Sequence, residues 1–206
     1  MKETSTAASE KKPLLNLPNK LTLLRMVLVP VCMFVIMAEF IPELWARIIG
    51  TAVFVLTSLT DMLDGKIARK YNLITDFGKF MDPLADKLLV ITTMLGLLVR
   101  YEYIRPVYVW ALFIVILREF AVTSLRMVAS NKAGLVIAAA WLGKIKTVTQ
   151  MTSILCILLE PVILPFPFFE TYRPLTFISI VVMAVMTLWS GIDYLVKYWP
   201  TISPKQ

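Results

Sequence analysis

Apolar positions along this chain fall into six long runs separated by short polar or proline-marked joints. The pattern predicts helices at about 21–39, 44–70, 79–100, 106–129, 136–160 and 174–198. Each run is near or above the roughly 20 residues that cross the hydrocarbon core of a bilayer. Pro42, Pro106, Pro161, Pro165, Pro167 and Pro174 mark joints. Pro83 falls near the start of the third helix, where its missing N–H costs little, and Pro30 falls inside the first, where a kink is expected. Residues 14–24 mix apolar side chains with Asn16, Asn19, Lys20 and Thr22, and read as a short amphipathic helix in the interface, with Asn19 or Thr22 as a cap. The expected fold is all-α: a polytopic membrane protein with six transmembrane helices and a short N-terminal interfacial helix. The expected organisation is a disordered cytoplasmic tail at 1–13, a membrane domain at 14–200 and a C-terminal tail at 201–206.

Composition supports the membrane reading. The chain is 58% hydrophobic and 17% charged, against about 25% charged in soluble domains. No removable signal peptide is expected, because the first apolar run is too long and lacks a small-residue cleavage site. Cys32 and Cys156 lie within apolar runs and are expected to be reduced packing residues. Histidine is absent, so Asp, Glu, Lys and Arg are left as the obvious chemistry.

The net charge of +7 is read as membrane topology rather than nucleic-acid binding. An even number of spans puts both termini on one side. Assigned this way, that side collects all the Lys and Arg residues except Arg47, Arg100, Arg105 and Arg173. The asymmetry predicts a cytoplasmic N-terminus. Tyr101, Tyr103, Tyr108 and Trp110 are expected in an outer aromatic belt, and Trp189, Tyr194, Tyr198 and Trp199 in an inner one.

The chemistry concentrates between Asp61 and Asp86. Asp61 and Asp64 are spaced i, i+3 at the end of the second span, and Asp82 and Asp86 i, i+4 at the start of the third. On helices each pair shares a face. A short link is expected to make the two helices antiparallel neighbours, so that the four acids meet at the cytoplasmic face. Their mutual repulsion calls for a cation, and all-oxygen ligation favours Mg²⁺ or Mn²⁺. Gly65 and Gly78 remove side chains where a phosphate or nucleoside would approach, and Arg69 supplies a planar cation suited to phosphate. A second group lies on the fourth and fifth spans: Arg118, Glu119 and Arg126, then Lys144, Lys146, Thr147 and Gln150. With Arg25 of the first span, these cations read as a pocket for an anionic acceptor such as a phosphate monoester. The plainer alternatives are buried Asp–Arg pairs that only stabilise a bundle, and positive-inside residues that bind nothing. A membrane metal-ion transporter is the competitor from another class, but it would spread its acids through the membrane depth.

The pattern D-x2-D-G-x2-A-R-x8-G-x3-D-x3-D is met at every position by Asp61, Asp64, Gly65, Ala68, Arg69, Gly78, Asp82 and Asp86. Here the sequence resembles the CDP-alcohol phosphatidyltransferase family. The resemblance implies a six-helix membrane fold, a homodimer, a divalent-metal site facing the cytoplasm of a bacterial inner membrane, and transfer of a phosphatidyl group from a CDP-linked donor to an alcohol with release of CMP. Carried over, Asp61, Asp64, Asp82 and Asp86 would hold metal. Asp86 would also be the base on the acceptor hydroxyl. Asp61, Gly65, Ala68, Arg69 and Gly78 would shape the CDP site. Residues 16–25, 118–126 and 143–150 resemble segments of the family's bacterial phosphatidylglycerophosphate-forming branch. That branch implies CDP-diacylglycerol as donor and sn-glycerol 3-phosphate as acceptor, the acceptor phosphate meeting Arg25, Arg118, Arg126, Lys144 and Lys146. Inositol phosphate or phosphatidylglycerol is the alternative acceptor within the family.

Overall fold

The structure, a computed structural model, describes residues 17–71, 75–133 and 141–202. The expected tail at 1–13 lies outside them, as do the side chains of Asp64, Ala68 and Arg69. Six long helices correspond to the six apolar runs: α1 (Leu17–Met37), α2 (Glu43–Lys70), α3 (Asp76–Arg100), α4 (Arg105–Ala133), α5 (Trp141–Ile163) and, after the single-turn α6 (Pro167–Tyr172), α7 (Pro174–Ile202). No strand occurs among the described residues. Among the described residues, five of the long helices contain a stretch long and apolar enough to cross a membrane. The exception, α3, is 25 residues long but carries Asp82, Asp86 and Lys87 in its first half. Residues 17–24, expected as a separate interfacial helix, are the continuous first turns of α1.

The helices form two groups of three. α1 packs along both α2 and α3, and α7 packs along both α4 and α5. The groups meet where α2 touches α5 and α3 touches α4. Thus α2 and α3, expected as direct neighbours, are joined mainly through α1. Close approach explains part of this: a Cβ on Gly50 of α2 would come within 2.9 Å of the Ile36 side chain on α1. With lipid as the competing surroundings, such small-residue contacts are a main source of helix association. The hydroxyls of Thr57 and Ser58 bond back to the carbonyls of Val53 and Phe54, which satisfies them within α2.

The pole away from the acids is sealed by side chains. Ile36, Leu97, Ile104, Tyr108, Ile157 and Leu158 are fully buried there. Tyr101 and Tyr108, expected in a lipid-facing belt, belong instead to this core. The Tyr101 ring lies under the Arg47 guanidinium at 4.2 Å, and burial pushes its phenol up to about 12. Trp110, Trp189 and Trp199 do face outward. A tyrosine near a span end carries the same sequence signal whether it faces lipid or protein, and here packing decided.

Two buried charges complete the backbone bonding at this pole. Pro161 lacks the N–H that would reach the carbonyl of Ile157, and Arg47 Nη1 donates to that carbonyl at 2.6 Å. Glu160 accepts from the N–H groups of Leu175 (2.9 Å) and Thr176 (2.7 Å) in the first turn of α7, where a helix has unpaired donors and favours negative charge. Replacing Arg47 with Met is therefore expected to destabilise the fold by ~1–3 kcal/mol, the usual cost of stranding a buried polar group. A lowered unfolding midpoint in detergent checks this, with Pro161→Ala partly restoring it by returning the missing donor.

Candidate active site

The acids are organised from α1. Arg25, fully buried, places Nη1 2.7 Å from an oxygen of Asp61 and 2.7 Å from an oxygen of Asp86. One turn earlier, Thr22 donates to Asp82 Oδ1 at 2.6 Å. A further turn back, Asn19 exchanges hydrogen bonds at 3.0 Å with Thr75. Thr75 in turn caps α3 by accepting from the Gly78 N–H at 3.1 Å. The spacing of Asn19, Thr22 and Arg25 keeps all three on one face of α1, and that face looks at the carboxylates. The structure therefore places Arg25 with Asp61 and Asp86 rather than with the cations of α4 and α5. The reason is topological: α1 sits between α2 and α3.

Gly78 also has a different neighbourhood from the open one expected. A Cβ there would lie 3.0 Å from Asn19 Oδ1 and 3.3 Å from Thr75 Oγ1. The missing side chain makes room for Asn19. Gly65 lies partly buried on α2, directly after Asp64.

The second group assembles as its spacing suggested. A cavity of about 560 Å³ is lined by Asp86 and Lys87 of α3, Arg118, Glu119 and Arg126 of α4, and Gly143, Lys144, Lys146, Thr147 and Gln150 of α5, with Tyr194 of α7. Glu119 is its internal counter-charge. It accepts from Arg118 Nη1 at 3.2 Å and from Lys146 Nζ, and Lys87 Nζ stands 3.9 Å away. A buried carboxylate among three cations gathers them while leaving a positive excess. Such an arrangement favours a multiply charged anion, and guanidinium and ammonium groups together suit a phosphate monoester. Of the described motif side chains Asp61, Asp82 and Asp86, only Asp86 borders this cavity, so it stands between the carboxylates on one side and the cations on the other.

A hard divalent ion fits the donor set. The acid oxygens of Asp61 and Asp86 already converge on one positive atom, Arg25 Nη1, and carboxylate oxygens are the ligands Mg²⁺ and Mn²⁺ prefer. Among the described residues, no three acidic or thiol groups are gathered closely enough to hold an ion; the side chain of Asp64, the fourth motif acid, lies outside them.

Several contributors escaped the sequence reading. Thr22 and Asn19 were visible as polar residues in an apolar helix, and their three-residue spacing to Arg25 was the available signal. Lys87 follows Asp86 directly. Ser190 and Tyr194 of α7 were marked by the break Ser190-Gly191 in an apolar run and by the place of the aromatic near a span end, neither of which points to an arginine.

Fold and site together define a polytopic helical membrane protein in which carboxylates adjoin a cation-lined cavity at one pole. The chain belongs to the CDP-alcohol phosphatidyltransferase family, whose model matches residues 15–190. It is 40% identical over 198 residues to the CDP-diacylglycerol–glycerol-3-phosphate 3-phosphatidyltransferase of Bacillus subtilis (strain 168), covering 91% of this chain and 97% of that protein. Proteins of the same name from Yersinia enterocolitica and Salmonella choleraesuis are each 35% identical, covering 90% and 87% of this chain and 96% and 93% of their own lengths.

Proposed function

We propose that this chain transfers the phosphatidyl group of CDP-diacylglycerol to sn-glycerol 3-phosphate, forming phosphatidylglycerophosphate and CMP. The observation that carries the reading is the double position of Asp86, which shares Arg25 with Asp61 and borders the cation-lined cavity. In this reading Arg118, Arg126, Lys144 and Lys146 bind the acceptor phosphate and aim its primary hydroxyl at the acids. Asp86 takes the hydroxyl proton as the oxygen attacks the β-phosphorus of the donor. The bond from that phosphorus to the bridging oxygen breaks, and CMP leaves. Arg25 keeps Asp61 and Asp86 in register. Asp61, Asp64, Asp82 and Asp86 would hold the divalent metal, Mg²⁺ or Mn²⁺, which when bound offsets pyrophosphate charge and supports the leaving group. Asp61, Gly65, Ala68, Arg69 and Gly78 would flank the CDP headgroup while the acyl chains stay in lipid. The charge asymmetry supports a site facing the cytoplasm of a bacterial inner membrane, and the family resemblance supports a homodimer.

The test is CMP release from CDP-diacylglycerol by the purified protein in detergent. Glycerol 3-phosphate, inositol phosphate, phosphatidylglycerol and serine are offered in turn, with and without a chelator. Release is expected with glycerol 3-phosphate, and a chelator should suppress it until Mg²⁺ or Mn²⁺ is returned. Faster release with another acceptor overturns the acceptor assignment, and release that survives chelation overturns the metal.

A further inference from the structure

The two arginines that face the acceptor cavity from α4 are not held by α4 alone. Arg118 and Arg126 carry long side chains with many rotamers, and ordering them at the moment of binding would weaken affinity. α7 removes that freedom beforehand. Ser190 Oγ accepts a hydrogen bond from Arg118 Nη2 at 2.8 Å. One turn on, the Tyr194 hydroxyl accepts from Arg126 Nη2 at 2.6 Å. The same tyrosine ring has its centroid 5.6 Å from the Arg118 guanidinium carbon and 5.2 Å from that of Arg126. Tyr198 stacks on it from the next turn, with centroids 5.7 Å apart. Ser190 and Tyr194 are both essentially fully buried. Between them Gly191 leaves space for the Arg118 stem: a Cβ there would lie 3.2 Å from Arg118 Cγ.

The chemistry of these partners is as informative as their geometry. A carboxylate would fix a guanidinium but also cancel its charge and compete with an incoming anion. A hydroxyl and an aromatic face fix its direction and leave its charge in place. α7 offers both arginines neutral oxygens and a ring, whereas the carboxylate Glu119 is shared by Arg118, at 3.2 Å, and Lys146. We propose that Ser190 and Tyr194 are positioning residues for the acceptor: they pre-orient Arg118 and Arg126 through neutral contacts, which add no negative charge beyond the Glu119 carboxylate that Arg118 shares with Lys146, so that the cavity keeps its positive excess for the acceptor phosphate. Tyr194 lies beyond residue 190, where the family match ends. The inference rests on the reading that Arg118 and Arg126 bind that phosphate.

The experiment measures kcat and KM for each substrate, and thermal stability, in full-length protein carrying Tyr194→Phe, Ser190→Ala, Ser190→Thr, Arg126→Ala, or Arg126→Ala with Tyr194→Phe. Tyr194→Phe keeps the ring and removes one hydrogen bond to a charged group, so KM for glycerol 3-phosphate should rise about tenfold. KM for CDP-diacylglycerol and the melting temperature should stay put. Ser190→Ala should act in the same direction, with Ser190→Thr restoring the hydroxyl and the lower KM. In the Arg126→Ala background, Tyr194→Phe should raise the acceptor KM little further, because the Arg126–Tyr194 hydrogen bond is already lost. The inference fails if Arg126→Ala raises the acceptor KM while Tyr194→Phe and Ser190→Ala leave it within twofold. It also fails if those two variants move both KM values and the melting temperature together, as simple packing residues would. If Arg126→Ala itself leaves the acceptor KM unchanged, the underlying acceptor assignment falls, and this inference with it.

Discussion

Protein carrying Asp86→Asn is expected to bind CDP-diacylglycerol and release CMP about 10³-fold more slowly than the unmodified protein, within the range a positioned general base supplies. The amide is nearly the same size and can still accept a hydrogen bond from Arg25, so the local packing survives. What it loses is the capacity to take a proton at the edge of the cation-lined cavity. Asp61 remains on Arg25, and Asp82 remains on Thr22, so donor binding should persist in part. The decisive comparison pairs turnover with donor affinity measured separately. Near-normal turnover would refute the base role, and parallel loss of donor binding would reassign Asp86 to holding the donor alone.

The second large effect is at Arg126. Replacing it with Ala is expected to raise KM for glycerol 3-phosphate about 100-fold, near the upper end for a lost hydrogen bond to a charged group, while KM for CDP-diacylglycerol stays within twofold. The distinction follows from placement. Arg126 lies on the cavity wall with Lys144 and Lys146, whereas the carboxylates are organised from α1. Equal weakening of both substrates would mean that the cavity holds the donor phosphates instead.

The acid motif and the basic group were both legible in the sequence because each is written as local spacing. Asp61 and Asp64, Asp82 and Asp86, and Arg118 and Arg126 fall on shared helix faces by periodicity alone. That the two groups adjoin was also within reach, since charge asymmetry puts them at the same membrane face. Which helix stands beside which was not. Nothing in the periodicity of α1 says that it lies between α2 and α3, and so the pairing of Arg25 with Asp61 and Asp86 is not legible in spacing. Tyr194 illustrates a related limit. Near a span end, an aromatic with one polar atom suits a lipid headgroup and a buried arginine equally well. Gly78 shows that a missing side chain marks close approach without naming what approaches; here it is Asn19.

A water-filled cavity cut into a membrane protein thins the electrical insulator around it. In this molecule the cavity opens at the acid pole, and the opposite half is packed by Leu97, Ile104, Tyr108, Ile157 and Leu158, all fully buried. Within that packing Arg47 fastens α2 to α5. None of these five residues lines the cavity, so among the described residues it is a recess at one pole rather than a channel.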